Sequence, residues 1–224
     1  MVHRLKFTDF LIGIIFTLLF VSISVIITIN FRPLYYLDVK LLDIEQTSGY
    51  DKEEILDNYN ALIDYSSPFY KGNLEFPTLE ASESGLQHFK EVKDIFTAFY
   101  WLAAITLASV VSIVIYKYKK RDISYLPVSS LTAILLPSLL GILIMLNFDR
   151  AFVIFHQLFF NNDLWLFDPT TDPVIKILPD TFFLHSAIMI ILLVILGSIC
   201  LYVIYHFLKK RTGIRYRKIP DIKV

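Results

Sequence analysis

Four long stretches without a charged residue limit what this chain can fold into. Each is long enough to cross the hydrocarbon core of a bilayer, which takes about 20 helical residues. Hydrophobic residues make up 55% of the chain and glycine is scarce, a composition typical of a membrane protein. Core helices of soluble proteins rarely run so far without a charge, so we predict four transmembrane helices. They cover residues 10–29, 95–116, 127–148 and 181–207.

Basic residues are distributed unevenly among the segments that connect these spans. The N-terminus, the link that begins at Lys117 and the tail from Lys209 hold 13 of the 21 basic residues and only 3 of the 21 acidic ones. The loops 31–94 and 149–180 hold the other 8 basic and 18 acidic residues. The positive-inside rule therefore places both termini in the cytoplasm and both long loops outside. We expect residues 1–224 to form a single membrane domain whose first span is an uncleaved signal anchor.

The first outer loop has a helical pattern of its own. Ser48 or Asp51 can cap a helix that ends before Pro68, because the residue before a proline disfavours helical geometry. Ser84 with Gln87 forms a capping-box pattern that opens another helix, which we expect to continue unbroken into the second span.

The second outer loop opens with phenylalanines spaced four, three and four residues apart. This stripe is typical of a helix lying at a membrane interface. It consists of Phe148, Phe152, Phe155 and Phe159. The sequence therefore predicts an all-α membrane protein in which four transmembrane helices carry a helical extracytoplasmic cap.

Two histidines, His88 and His156, stand a short way outside hydrophobic spans, and the charge pattern puts both on the outer face. Imidazole has an unperturbed pKa near neutral, so it can take and give a proton there. At 1.5 Å per residue, His88 would lie roughly 10 Å beyond Ile95, around headgroup depth. Together they predict proton transfer on a lipid-borne group, whereas either alone is also explained as an interfacial anchor. His185, near the outer end of the last span, is a third candidate.

Charged residues near these histidines are candidate partners. A carboxylate beside a histidine fixes its tautomer and orientation. Glu91 lies three residues after His88, and Asp149 lies seven before His156. Both carboxylates are equally explained as solvated surface charges. Lys93, close to the outer membrane boundary, is a candidate for binding lipid headgroups.

Motifs of several enzyme classes are missing from the sequence. It has no H-E-x-x-H, G-x-S-x-G, P-loop or dinucleotide fingerprint, so we predict neither a metal nor another cofactor. Ser84 is better explained as a helix cap than as a nucleophile. Cys200 is the only cysteine and cannot form a disulfide within the chain. The basic segments account for topology and for binding to anionic lipid, so we predict no nucleic-acid partner.

A series of polar and aromatic motifs runs through both outer loops. The motifs are Asn58-Tyr59-x-x-Leu62-x-x-Tyr65, Ser84-Gly85-x-x-His88-Phe89 with Val92-Lys93, Phe155-His156-x-x-Phe159-Phe160, Asn162-Asp163-x-Trp165-x-Phe167-Asp168-Pro169 and Leu178-Pro179-x-x-Phe182-Phe183. In this order, and with four spans, nearly the whole chain resembles the lipoprotein intramolecular transacylase family of small bacterial membrane proteins. The family pattern leads us to expect aspartate before Val-Lys, where this chain has Glu91.

The resemblance implies an enzyme of the bacterial plasma membrane that acts on diacylated lipoproteins. It would move the sn-2 acyl chain of the glyceryl group onto the α-amine of the same N-terminal cysteine, which gives a lyso-form lipoprotein. The two histidines of the family carry over onto His88 and His156, on the extracytoplasmic face. The supporting residues we expect are Tyr65, Glu91, Lys93 and Asp149. The implied partners are the lipoprotein substrate and membrane lipid, while the oligomeric state stays open.

Two other interpretations fit the same residues. One is a lipid hydrolase that uses Ser84, or a metal bound by His88, His156 and His185. The other is a membrane protein without enzymatic activity whose acidic outer loops bind a partner. Transfer of an acyl chain by the purified protein would exclude the second, and sensitivity to chelators would favour the first.

Overall fold

The computed structural model describes residues 6–212, and all regular secondary structure within that range is helical. Four of its helices are long and apolar enough to cross a membrane, which confirms the predicted fold class. Arg4 and the basic tail beyond residue 212, both used in the charge count, lie outside the described residues. The helices are α1 (Phe7–Asn30), α2 (Arg32–Leu41), α3 (Ile44–Ser48), α4 (Lys52–Tyr65), α5 (Glu83–Lys119), α6 (Tyr125–Leu146), α7 (Phe148–Phe159), α8 (Val174–Ile177) and α9 (Asp180–Thr212).

Helix α1 is the central element of the bundle. It packs against α5, α6 and α9, and α6 also packs against α9. Close approach to α6 is possible because residue 13 is glycine: a Cβ there would lie only 2.8 Å from Oγ1 of Thr132. Small residues of this kind are what allow helix backbones to approach within a membrane.

The four long helices converge at the end of the bundle that carries Asp9 and Lys117, here called the basic end. All four contribute to one buried apolar cluster there, consisting of Ile12, Phe16, Leu19, Val110, Tyr125, Leu126, Leu201 and Tyr205. Beside it, buried Lys117 forms ion pairs with Asp9 at 3.1 Å and Asp122 at 2.8 Å. Toward the opposite end, α5 exposes large side chains such as Trp101 and Ile105, 67% and 62% accessible. The bundle is therefore tied together at the basic end.

The two outer loops form one cap with its own apolar core. Tyr35 stacks on Tyr59 with ring centroids 3.7 Å apart, and Phe182 packs edge-on against both rings. The Tyr35 hydroxyl donates a 2.7 Å hydrogen bond to the carbonyl of Ile177. These contacts join α2 and α4 of the first loop to the second loop and the start of α9. The predicted helical cap is thereby confirmed, and the end of the bundle that carries it is here called the cap end.

The helix ends match the prediction in part. The Asp51 carboxylate accepts a 2.9 Å hydrogen bond from the Glu54 amide and caps α4, which ends before Ser66 as predicted. The predicted capping box of Ser84 and Gln87 is wrong, because α5 begins two residues earlier, at the cap Ser82. That cap is favoured by a second partner, the Asp172 carboxylate, which accepts a hydrogen bond from the Ser82 hydroxyl.

Of two predictions about the spans, the structure confirms the one for α5 and contradicts the one for the end of α6. Helix α5 runs unbroken for 37 residues from the cap into the bundle, as predicted. The third span was predicted to reach Phe148, but α6 ends at Leu146. Asn147 then accepts a hydrogen bond from the Arg150 amide and caps α7, so the phenylalanine stripe starts a separate helix.

Candidate active site

His88 lies in the second turn of α5 and is buried, with only 4% of its surface exposed. Its ring is enclosed by the rings of Phe160 and Phe167, whose centroids are 4.7 and 5.5 Å away. Within residues 6–212, the buried Nδ1 of His88 has no hydrogen-bond partner. A buried polar atom without a partner costs free energy, so this nitrogen is available to a group that enters the site.

His156 lies in the last turns of α7 and is also buried. Its Nδ1 lies 2.7 Å from the carbonyl oxygen of Phe152, and a carbonyl can only accept. The contact therefore fixes the neutral ring as the Nδ1–H tautomer and leaves the lone pair on Nε2. The indole of Trp165 stacks on the imidazole with a centroid distance of 4.6 Å and an angle of 30°. Helix α7 and the loop after it thus fix both the tautomer and the plane of this ring.

The structure brings the two imidazoles together from different helices. Their centroids are 5.9 Å apart and their planes are inclined by 31°. Phe160 lies against both, with centroids 4.7 Å from His88 and 5.5 Å from His156. The arrangement presents two proton-transfer groups side by side in an aromatic enclosure that excludes water.

Burial affects the protonation of both rings. The 37 residues of α5 make about 55 Å of helix, more than a bilayer core of about 30 Å can hold, and His88 lies on the part beyond the span. Burial lowers the pKa of His88, nearby His156 lowers it further, and Glu91 raises it. Burial likewise lowers the pKa of His156, while the Phe152 carbonyl and the Asp180 charge raise it. Both pKa shifts therefore favour the neutral form of the imidazoles at pH 7.

The two predicted carboxylate partners lie in different settings. Glu91 accepts hydrogen bonds from the side-chain amide of Asn162, at 3.1 Å to each oxygen, and from Gln87 at 3.3 Å. Asp149 is exposed in the first turn of α7. The carboxylate that acts on the pKa of His156 is instead that of Asp180, at the start of α9.

Lys93 and Tyr65, the other two predicted supporting residues, lie together, with Tyr65 buried in the apolar core of the cap. The Lys93 ammonium sits 4.4 Å from the ring centroid of Tyr65 and 5.3 Å from that of Tyr70. It also donates a 3.0 Å hydrogen bond to the Tyr70 carbonyl. These contacts hold one positive charge in a fixed place beside the aromatic rings of the cap.

His185 lies apart from this arrangement. Its Nδ1 is 2.8 Å from the carboxylate of Asp38, which is fully buried on α2. The described part of the chain contains no group of three or more His, Cys, Asp or Glu side chains placed to hold a metal ion. The three-histidine metal site of the hydrolase interpretation is therefore not assembled there.

The start of α5 depends on residues that the sequence reasoning missed. Asp172, buried in the second outer loop, accepts hydrogen bonds from the Ser82 amide at 2.9 Å and the Thr171 hydroxyl at 2.8 Å. Gly85 lies directly against Asp172, so a Cβ at residue 85 would clash with the carboxylate. The Asp172-Pro173 pair was interpreted only as a turn, and no local pattern indicates a contact with Ser82.

Fold and site together define a helical membrane protein with two buried histidines beneath a cap. The sequence model of the family described as lipoprotein intramolecular transacylase Lit matches residues 10–183. The chain belongs to this family, and thus to the acyltransferases of the membrane. No curated protein sequence matches the chain significantly.

Solved structures of one relative agree with this assignment. The chain is 36% identical to the membrane integral lipoprotein intramolecular transacylase Lit from Bacillus cereus, solved in meso, with a TM-score of 0.87 over 92% of this chain and 98% of that one. A structure of that protein with one histidine replaced by alanine has a TM-score of 0.83 and covers the same 92% of this chain and 96% of its own. In a third structure of that protein a histidine is replaced by arginine, and the TM-score is 0.82 over 92% of this chain and 94% of that one.

Proposed function

We propose that this protein moves the sn-2 acyl chain of a diacylglyceryl lipoprotein onto the α-amine of the lipoprotein's own N-terminal cysteine. The observation that carries the proposal is the placement of His88 and His156, with rings 5.9 Å apart and buried, in a member of the intramolecular transacylase family. Ester and amine belong to one substrate molecule. The enzyme's main tasks are therefore to fold that molecule into an attacking geometry and to move protons.

His156 is the base in this proposal. An α-amine has a pKa of about 7.7–8.0, so it is mostly protonated at neutral pH and must lose a proton before it attacks. Nε2 of His156 carries the lone pair, because Nδ1 faces the Phe152 carbonyl. The same carbonyl stabilises the imidazolium that forms when Nε2 takes up the proton.

His88 serves the other side of the reaction. As the C–N bond forms, the ester carbonyl oxygen becomes an oxyanion that needs a hydrogen-bond donor. A neutral imidazole can donate from one nitrogen, and the burial that lowers the pKa of His88 favours the neutral ring. The amine nitrogen loses two protons on its way from ammonium to amide: the first leaves to solvent by way of His156 before attack, and His156 takes the second as the C–N bond forms. The intermediate then collapses by breaking the C–O bond, and the imidazolium of His156 gives that second proton to the sn-2 oxygen. Apart from the first proton no atom is lost, and no acyl group passes through the protein.

The acyl chains have an apolar surface on which to lie. Helix α5 packs against α1, while its face toward the cap end exposes Trp101 and Ile105. Helix α6 likewise exposes leucine and isoleucine side chains, among them Leu139, Ile142 and Leu146. We infer that sn-1 and sn-2 chains occupy these bilayer-facing surfaces while the glyceryl group lies beneath α7.

The site faces outward in this proposal. Among the described residues, the basic end carries eight basic and only two acidic side chains, a balance that corresponds to cytoplasmic placement of this end under the positive-inside rule. The substrate would then present its lipidated cysteine to the cap from the extracytoplasmic side.

The test is mass spectrometry of a synthetic diacylated lipopeptide that carries different chains at sn-1 and sn-2. After incubation with the purified protein, its intact mass should be unchanged, and fragmentation should place the sn-2 chain on nitrogen. An N-acetylated lipopeptide, which lacks the nucleophile, should not react. Free fatty acid as the main product, or an acylated protein, would contradict the proposal and favour a hydrolase.

A further inference from the structure

Asn162, in the loop after α7, contacts the surroundings of both histidines. Its side-chain amide nitrogen donates to both carboxylate oxygens of Glu91, each at 3.1 Å. Glu91 stands on α5, one turn after His88. This side of Asn162 therefore holds the second outer loop against the helix that carries His88.

The rest of Asn162 faces His156. Its backbone carbonyl accepts a 3.2 Å hydrogen bond from the indole N–H of Trp165, and that indole stacks on the imidazole of His156. Its side-chain oxygen accepts a 3.1 Å hydrogen bond from the Leu164 amide. The side-chain amide of Asn162 therefore has one orientation, with its oxygen toward the Leu164 N–H and its nitrogen toward the Glu91 carboxylate. Aspartate at residue 162 would put a second carboxylate against Glu91, and the two would repel each other.

We propose that Asn162 is a positioning residue, which sets the separation and relative orientation of the His88 and His156 rings through Glu91 on one side and Trp165 on the other. The inference rests on the proposed acyl transfer, because that reaction needs both rings at one ester. A displacement of about 1 Å between reacting groups can cost about a hundredfold in rate. The joint between two separate helices is where such a displacement would arise.

Kinetics of the full-length protein test this directly. Asn162→Ala should lower kcat about 10- to 100-fold with little change in KM, since acyl chains bind elsewhere. Asn162→Asp should be at least as impaired, because two carboxylates would then oppose each other. In the double variant Asn162→Asp with Glu91→Gln, the new amide at residue 91 can donate to the new carboxylate at residue 162. This variant should recover most of the activity. Asp163→Asn, at the exposed neighbouring position, is the matched control and should keep wild-type turnover.

A spectroscopic measurement separates this inference from the proposed function. Trp101 and Trp165 are the only tryptophans, so Trp165 is the only tryptophan emitter in a Trp101→Phe protein. A stacked imidazolium quenches indole emission, and acidification should therefore quench Trp165 in that protein. In the Asn162→Ala derivative the quenching should weaken, because the loop loses its attachment to α5.

The outcomes are distinguishable. Absence of acyl transfer by the wild-type protein, with quenching that still depends on residue 162, would overturn the proposed function and leave the positioning role in place. Acyl transfer that is unaffected by Asn162→Ala, or a double variant with no recovery, would overturn the positioning role alone.

Discussion

The carbonyl oxygen of Phe152 lies 2.7 Å from Nδ1 of His156, one turn further along α7. Phe152 lies inside α7, where a carbonyl ordinarily accepts only from the backbone amide four residues further on. Here it holds an imidazole ring in one tautomer and directs the opposite nitrogen away from the helix. The relationship assigns the two histidines unequal roles, since only His156 has such an acceptor.

Removing either imidazole should impair chemistry without preventing folding. His88→Ala and His156→Ala should each lower turnover by about two to four orders of magnitude, the usual scale for general acid–base groups. Expression and membrane insertion should persist, because neither ring belongs to the cluster that joins the four long helices at the basic end. The measurement is single-turnover transfer on the lipopeptide. Near wild-type rates in one variant would make that histidine an interfacial anchor.

Both rings should titrate below the ordinary value of about 6.5, because burial lowers each pKa. A lowered pKa means that the neutral base form persists as pH falls through 6.5, and is lost only at lower pH. Histidine-labelled protein in nanodiscs, observed by NMR and assigned with His88→Gln and His156→Gln, provides the titration curves. A midpoint at or above 6.5 for either ring would contradict the expected effect of burial.

Acyl transfer should need neither a serine nucleophile nor a metal. Ser84 is exposed on the first turn of α5, and its hydroxyl lies 2.8 Å from that of Ser82, which explains it as part of the helix start. Ser84→Ala should therefore keep turnover within about threefold of wild type, since substitutions at exposed positions usually have small effects. Preincubation with EDTA should also leave activity intact. Loss of activity in either experiment would support the hydrolase interpretation.

Replacing Gly85 should destabilise the cap. In Gly85→Ala the new Cβ clashes with the Asp172 carboxylate, which is held by Ser82 and Thr171 and cannot move away without losing hydrogen bonds. Overpacking of this kind costs about 1–3 kcal/mol, more than the helix propensity gained from alanine. Thermal unfolding in detergent should show the loss. Glu83→Ala, an exposed site in the same turn, should unfold at the wild-type temperature.

Topology can be measured by cysteine labelling in intact cells. In a Cys200→Ala background, an impermeant maleimide should label a cysteine that replaces Asn73 in the cap but not one that replaces Lys119 at the basic end. The reason is the distribution of basic charge, which orients membrane helices. The opposite labelling pattern would invert the assigned orientation.

The spans and the cap helices could be predicted because their signals are local. Hydropathy over about 20 residues identifies a span, and the local cap pattern narrowed the start of α4 to Ser48 or Asp51, of which the structure has Asp51. His88 and His156 stood out for a similar reason, as imidazoles beside apolar segments. The supporting contacts carried no such signal, since Asp172 with Ser82 and Asn162 with Glu91 are pairs brought together only by folding.

The prediction for Asp149 shows the limit of reasoning along a helix. Spacing on α7 put Asp149 and His156 on one face, but two turns of helix separate them by about 10 Å, beyond hydrogen-bond reach. The carboxylate that influences His156 comes from Asp180, at the start of another helix. Sequence spacing alone contains no information on how closely α7 approaches α9.

Helix α5 is continuous from His88 to Lys117. At Lys117 it is fixed by ion pairs to Asp9 and Asp122. The rise between the two residues is about 43 Å, so one degree of tilt about Lys117 displaces His88 by about 0.8 Å. Hydrophobic helices respond to bilayer thickness by tilting. A bilayer whose acyl-chain length changes the tilt of α5 would therefore act on the contact between Glu91 and Asn162, which holds the second loop against this helix.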